Sequence, residues 1–163
     1  MSALEVTFPE EWLTMPLPPS GGGVTTLLPS PADLHFDDRA SLALLFECCG
    51  IPVQAFCAIG IVPGGGDDDA LWAVAEGGRH PGLERDTMAV ELSMGPAVRS
   101  SAFRFTPELL DDVTIAPYTA EVRFALPLPR DRIGVLNFET LSLTCFDELE
   151  YLFDAIAGTA RIA

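Results

Sequence analysis

Residues 134–160 read GVLNFETLSLTCFDELEYLFDAIAGTA, an apolar run that passes through a short polar stretch into alternating carboxylates and large apolar side chains. The first part, 133–140, has the apolar density of a strand buried within a sheet. In the second, Phe146, Leu149, Leu152, Phe153, Ile156 and Ala160 recur at three- and four-residue steps, which predicts a helix from about 145 to 158 with one apolar face. Thr144 is placed to cap it, with Asp147 at the third helical position. Such a short helix is marginal alone, whereas burying each large side chain contributes roughly 1.5–3 kcal/mol. The stretch therefore demands a sheet to dock on. Carboxylates suit a helix N-terminus, which accounts for Asp147 and Glu148 but leaves Glu150 and Asp154 unexplained.

The strands of that sheet are sought upstream. MAVELSM, 88–94, alternates, with Met88, Val90, Leu92 and Met94 on one side; Gly95-Pro96 predicts a turn, and Ala97–Phe105 returns. Tyr118–Leu126 sets Tyr118, Ala120, Val122, Phe124 and Leu126 against Thr119, Glu121 and Arg123, which predicts a second sheet face less fully covered. VQAFCAIGIV, 53–62, is apolar on both faces, as in a central strand. GGGDDD, 64–69, predicts a flexible turn that brings Ala70–Ala75 back as a hairpin partner. In the N-terminal third, 5–17 reads as an entry segment and first strand whose regular pairing Pro9 confines to one side, and PLPPSGGGVTTLLPSP, 16–31, predicts a flexible Pro/Gly-rich loop. Asp37 or Asp38 can cap an early short helix over 38–49 whose stripe is Leu42, Leu45, Phe46 and Cys49. The sum is one α+β domain over 1–163, an antiparallel sheet of six to seven strands with an early short helix and a C-terminal helix packed on it.

The chain has 163 residues, 24 acidic and nine basic, for a formal charge of −15, and all nine cations are arginine. Nucleic acid and anionic membrane surfaces are not expected partners, because phosphate binding draws on clustered Lys and Arg. Without lysine there is no P-loop, no Schiff base and no kinase-type ion pair. The longest apolar run, Val53–Val62, has ten residues and includes Gln54, far below the ~20 that span a bilayer. MSALEVTFPEEW lacks the basic and apolar regions of a secretory signal. A soluble, cytoplasmic protein is expected, with Cys48, Cys49, Cys57 and Cys145 as reduced, buried thiols.

Candidate chemistries fail on spacing. Cys48, Cys49, Cys57, His35 and His80 show no zinc-ligand spacing. Asp67, Asp68 and Asp69 lack the alternating ligands and distal Glu of a calcium loop. No G-x-S-x-G occurs, the adjacent acidic pairs suit turns and helix starts better than an acid/base cleft, and a dinucleotide fingerprint is absent. No catalytic residue, metal or cofactor is expected.

The run MAVELSMGPAVRSSAFRF, followed by YTAEVRFALPLPRDRIGVLNFETLSLTCFDELEYLFDAIAGTARI, resembles an actinobacterial protein family of PsbP/Mog1-like fold. The hairpin around Gly95-Pro96-Ala97-Val98-Arg99, the Leu-Pro-Arg-Asp-Arg approach to a core strand, the T-x-S-L step and the F-D-A-I-A helix end carry the resemblance, which covers 86–162 well and 6–18 weakly. It implies the fold and a binding or assembly role, as in the photosystem II extrinsic subunit, the Ran-binding protein and mycobacterial lipoproteins. The sequence departs from the lipoprotein branch in showing no lipobox cysteine. It also departs in having a Pro/Gly-rich loop where the first helical region is longer. Fold alone does not carry function.

The expected function is a non-enzymatic protein-binding module, an adaptor, specialised chaperone or immunity-type protein, that presents an acidic surface to a more basic partner protein. Glu148, Glu150 and Asp154 are the foremost surface candidates, with Trp12 and Asp67, Asp68 and Asp69 secondary. One alternative is a small-ligand carrier or enzyme with a pocket near Cys57, Trp72 and His80. Another is a structural subunit of a larger assembly.

Overall fold

The computed structural model describes residues 4–15, 39–48, 50–77, 85–105, 108–110, 113–115 and 118–163. In chain order these form β1 (Leu4–Glu5), β2 (Trp12–Met15), β3 (Arg39–Cys48), β4 (Ile51–Pro63), α1 (Asp68–Glu76), β5 (Arg85–Leu92), β6 (Gly95–Phe105), β7 (Glu108–Leu110), β8 (Val113–Ile115), β9 (Tyr118–Leu128), β10 (Arg132–Thr140), a single 3-10 turn Leu143–Cys145, α2 (Phe146–Ala157) and β11 (Arg161–Ile162). A seven-stranded sheet runs β2-β3-β4-β10-β9-β6-β5, with every neighbouring pair antiparallel. Two small ribbons, β1 with β11 and β7 with β8, complete an α+β arrangement.

The apolar strand that opens the 134–160 stretch is β10, in the middle of the sheet, with Phe138 opposite Cys57 on one side and Val122 on the other. Its residues Ile133–Thr140 are all buried. The sheet has two packed faces, because side chains alternate along each strand. One face gathers Cys57, Phe124, Leu136 and Phe138 with Leu149, Phe153 and Ile156 of α2. Phe138 and Phe153 stack at 4.6 Å, and Trp12 meets both rings edge-on. The opposite face packs Val98, Ala125, Ile133 and Val135 against Leu71 and Ala75 of α1.

The C-terminal helix is close to the expected span and buries the expected face. Its start differs. Thr144 lies in the 3-10 turn, and the residue preceding the helix, Cys145, makes no side-chain cap. The tightened turn supplies local bonds where a hydroxyl cap was expected, with the Cys145 N–H donating to Ser142 O at 3.3 Å.

Two elements of the middle region overturn their expectations. Residues 39–48 are a strand, paired on both sides, where an early short helix over 38–49 was expected. A Leu-rich run with near-continuous apolar character fits both periods, and pairing with β2 and β4 decides between them. Cys48 opposes Ile51, and Gly50 at φ +78° permits the tight reversal. Conversely, the segment expected as a hairpin partner, Ala70–Ala75, is helical. Asp67 has extended backbone and its carboxylate accepts from the Ala70 N–H at 2.8 Å, while Asp68 and Asp69 fill the first turn. The acidic triplet is a helix start. The β5–β6 reversal also comes earlier than expected, with Leu92 opposite Gly95 and Gly95-Pro96 already in β6. The loop at 16–31 lies outside the described residues.

Candidate functional site

β5 ends the strand order. Its residues Val90 and Leu92 pack toward the α2 side, so by alternation Asp86 and Met88 point the same way. Because α2 rests on β9 and β10, the β5–β6 end of that face extends beyond the helix. There a cavity of about 740 Å³ opens between helix and sheet. Its apolar lining comes from Met88, Val90, Leu92, Phe124 and Tyr151, and its charges from Asp86, Glu91, Asp147, Glu150, Asp154 and Arg99. Five carboxylates and one guanidinium line it. Met88 is 43 % and Tyr151 78 % exposed, so the groove carries apolar surface that water still reaches.

Arg99 explains the two carboxylates that helix construction left over. It rises from β6 with only 7 % exposure, and its Nε donates to Asp154 Oδ1 at 2.8 Å while Nη2 donates to Glu150 Oε1 at 2.6 Å. Glu150 and Asp154 are one helical turn apart, so a single guanidinium spans both and ties α2 to the sheet. It also lies 5.9 Å from the centroid of Phe124. Burial pulls the Arg99 pKa down, but the bonds to Glu150 and Asp154 outweigh it and raise the pKa, so the cation is permanent. Asp86, Glu91 and Asp147 have no ion pair among the described residues and line the groove, Glu91 from its rim, since alternation turns its side chain to the other face of β5.

The other sequence candidates are dispersed. Glu148 is an exposed residue of the first turn of α2. Asp67, Asp68 and Asp69 are exposed, but at α1, across the sheet from the groove. Trp12 is 6 % exposed in the core beneath α2, which leaves little of it for a partner to touch. Cys57 faces α2 whereas Trp72 packs on the α1 side, so those two share no pocket; His35, His80 and Cys49 lie outside the described residues. Burial holds the Cys57 thiol well above its ordinary pKa, and burial followed by the Glu148 charge raises that of Cys145. Neither is a thiolate at neutral pH.

Sequence reasoning missed a second polar assembly, on the α1 side. Thr119, Glu121 and Arg123, expected on a less covered face, are 2 %, 0 % and 0 % exposed. Arg85 Nη2 donates to Glu121 Oε1 at 2.8 Å, and Arg123 Nη2 lies 3.1 Å from the same oxygen. Arg123 Nε donates to Asn137 Oδ1 at 2.9 Å, whose Nδ2 donates to Glu139 Oε1 at 2.9 Å. Arg123 Nη1 also donates to Val74 O near the end of α1, at 3.3 Å. The cluster joins helix to sheet through paired charges, as burial requires. Its sequence signal was the polar alternation of β9 together with Asn137 and Glu139 in β10. The signal for the groove was Arg99, the lone cation on the α2 side of β6.

No family model and no curated protein matches the chain. Among solved structures it is similar to LpqN, described as involved in cell envelope biogenesis of Mycobacterium tuberculosis, at 11 % identity and a TM-score of 0.52, over 100 % of this chain and 84 % of that one. At that identity the likeness is one of fold.

Proposed function

We propose that the protein is a non-enzymatic protein-binding module whose groove between α2 and β5 receives a basic partner protein in the cytoplasm. The observation that carries this is the groove's chemistry: an apolar floor partly open to water, walled by five carboxylates of which Arg99 engages two. Apolar patches left exposed on a folded domain mark interaction sites, and a surplus of one charge sign selects the partner and speeds encounter. The same reading takes the fold as PsbP/Mog1-like, with the antiparallel sheet and the C-terminal helix in its support.

The test is a pull-down from source cells with the full chain and with an Asp86→Asn, Glu91→Gln, Asp147→Asn triple variant, at low and high salt. A basic protein retained by the parent, held more weakly as salt rises and lost from the folded variant is expected. Retention that is indifferent to the three substitutions refutes the groove as the site.

A further inference from the structure

The edge of the sheet beside the groove allows the partner's conformation to be inferred, on the footing that the groove is the binding site. β5 is eight residues long and pairs with β6 along one side, from Arg85 opposite Ala102 to Leu92 opposite Gly95. Along its other side no strand pairs with it among the described residues. A bare edge offers backbone donors and acceptors to any extended chain, and charged side chains are the usual device that restricts which chains add.

On β5 the restriction is directional. Side chains opposite one another across an antiparallel pair interact directly, favourably for unlike charges and unfavourably for like ones. Were a second copy to add antiparallel through the same edge, no cation could stand opposite Asp86, because opposed side chains share a face and that face of β5 holds only Asp86, Met88, Val90 and Leu92. Two chains of formal charge −15 would be brought together at that contact. Self-pairing therefore leaves Asp86 unanswered and is opposed by the net charge. A strand bearing cations opposite Asp86 and Glu91 is favoured by the same groups. Arg85, the one cation of β5, lies on the α1 side and is held there by Glu121 and Ser100, so it leaves both carboxylates unanswered. Between the two carboxylates, Met88 and Val90 share the groove face, Met88 at 43 % exposure.

We propose that β5 is a docking edge onto which a partner adds an extended basic segment as a further antiparallel strand, with cations opposite Glu91 and Asp86 and apolar residues opposite Val90 and Met88. Read from its N-terminus, the segment is cation, apolar, any residue, apolar, any residue, cation. Its last cation and both apolar residues lie on the groove face, where Asp147 and Tyr151 also stand; its first cation lies on the other face. Antiparallel addition continues the arrangement of the rest of the sheet and is the slightly more stable pairing.

The probe is an acetylated, amidated peptide, Arg-Val-Thr-Val-Thr-Arg, titrated into the isotopically labelled full chain with backbone amide shifts followed by NMR. Three companions are a same-composition peptide in scrambled order and two versions N-methylated at alternate residues, one set along each edge. Saturating shifts centred on 85–92 are expected with the parent peptide. N-methylation of one edge should abolish them and of the other leave them, because only one edge of an added strand faces β5. Asp86→Asn with Glu91→Gln should weaken binding roughly two- to thirty-fold. Binding by both N-methylated peptides overturns strand addition while leaving an acidic groove that attracts cations. Binding of the scrambled peptide as tightly as the parent overturns the register. No shift at β5, even when a basic protein is retained through the groove in the pull-down, overturns strand addition and leaves the binding function intact.

Discussion

Gly77 closes α1 over the buried charge cluster, and Gly77→Ala tests how rigidly that cluster is set. Its φ of +59° is left-handed, and its N–H donates to Ala73 O at 3.1 Å. A β-carbon in that conformation costs roughly 1–2 kcal/mol. It would also stand 1.8 Å from Nη1 of Arg123, where ordinary contact begins at 3.4 Å, so the guanidinium must retreat by about 1.6 Å. A fully buried side chain bonded to Val74 O, Asn137 and Glu121 cannot do so and keep its partners. Losing one buried bond to a charged group costs roughly 1.5–3 kcal/mol. The expected destabilisation is therefore about 2.5–5 kcal/mol, less about 0.5 kcal/mol for the stiffer unfolded chain. Gly50→Ala is the control, since Gly50 has a similar φ of +78° and nothing within 4 Å of its β-carbon position, so only the backbone cost applies. Urea unfolding followed by far-ultraviolet circular dichroism reads both. A Gly77→Ala loss no larger than that of Gly50→Ala would show that Arg123 is free to move, and would refute the account of a cluster fixed by its bonds.

Three further outcomes follow from local geometry. Arg130 and Asp131 in the β9–β10 loop have φ of +65° and +52°; Arg130→Gly should raise stability by up to about 1 kcal/mol, measured as a shift of the urea midpoint. Cys57 is 1 % exposed with its pKa raised by burial, so alkylation mapped by mass spectrometry should leave it unmodified until unfolding. A raised thiol pKa stabilises most fully below the unfolded value, so the contribution should fall with rising pH above about 8.5, by up to ~1.4 kcal/mol per unit, and Cys57→Ala should flatten that slope. Arg99 with Asp154, whose side chain is 44 % exposed, should show a coupling below about 1 kcal/mol in a double-mutant cycle, because water screens the carboxylate.

What was legible in the sequence was legible through period. The apolar spacing from Phe146 to Ala160 named the face that α2 buries, and the alternation of 88–94 placed Val90 and Leu92 on the side they occupy. Period failed at 39–48, where leucines fit helix and strand alike and the outcome rests on pairing with β2 and β4, which lie far off in the chain or across a turn. It fails again at 67–76, where three adjacent aspartates read as a flexible turn although the first is a helix cap. In β9 the alternation of Thr119, Glu121 and Arg123 was correct, but polarity was equated with exposure. The charges are buried because their partners come from β5 and β10, and no local pattern shows that.

The same pairing bears on whether the acidity is used at the groove or is only a property of the composition. Nine arginines must serve both interior and surface. Arg85, Arg99 and Arg123 are turned inward, each bonded to a carboxylate or amide of a neighbouring element. Cations spent on the fold do nothing to neutralise the outside, so the surface field is set by carboxylates without internal partners. If composition alone governed their placement, the apolar ones among their neighbours would be covered. At the groove they are not: Asp86, Glu91 and Asp147 flank Met88 and Tyr151, both still open to water. Apolar contact supplies affinity that salt does not screen, and the carboxylates supply selection that salt does. A basic partner on this groove should therefore retain some binding at high salt, whereas a counter-ion drawn only by bulk charge should retain none.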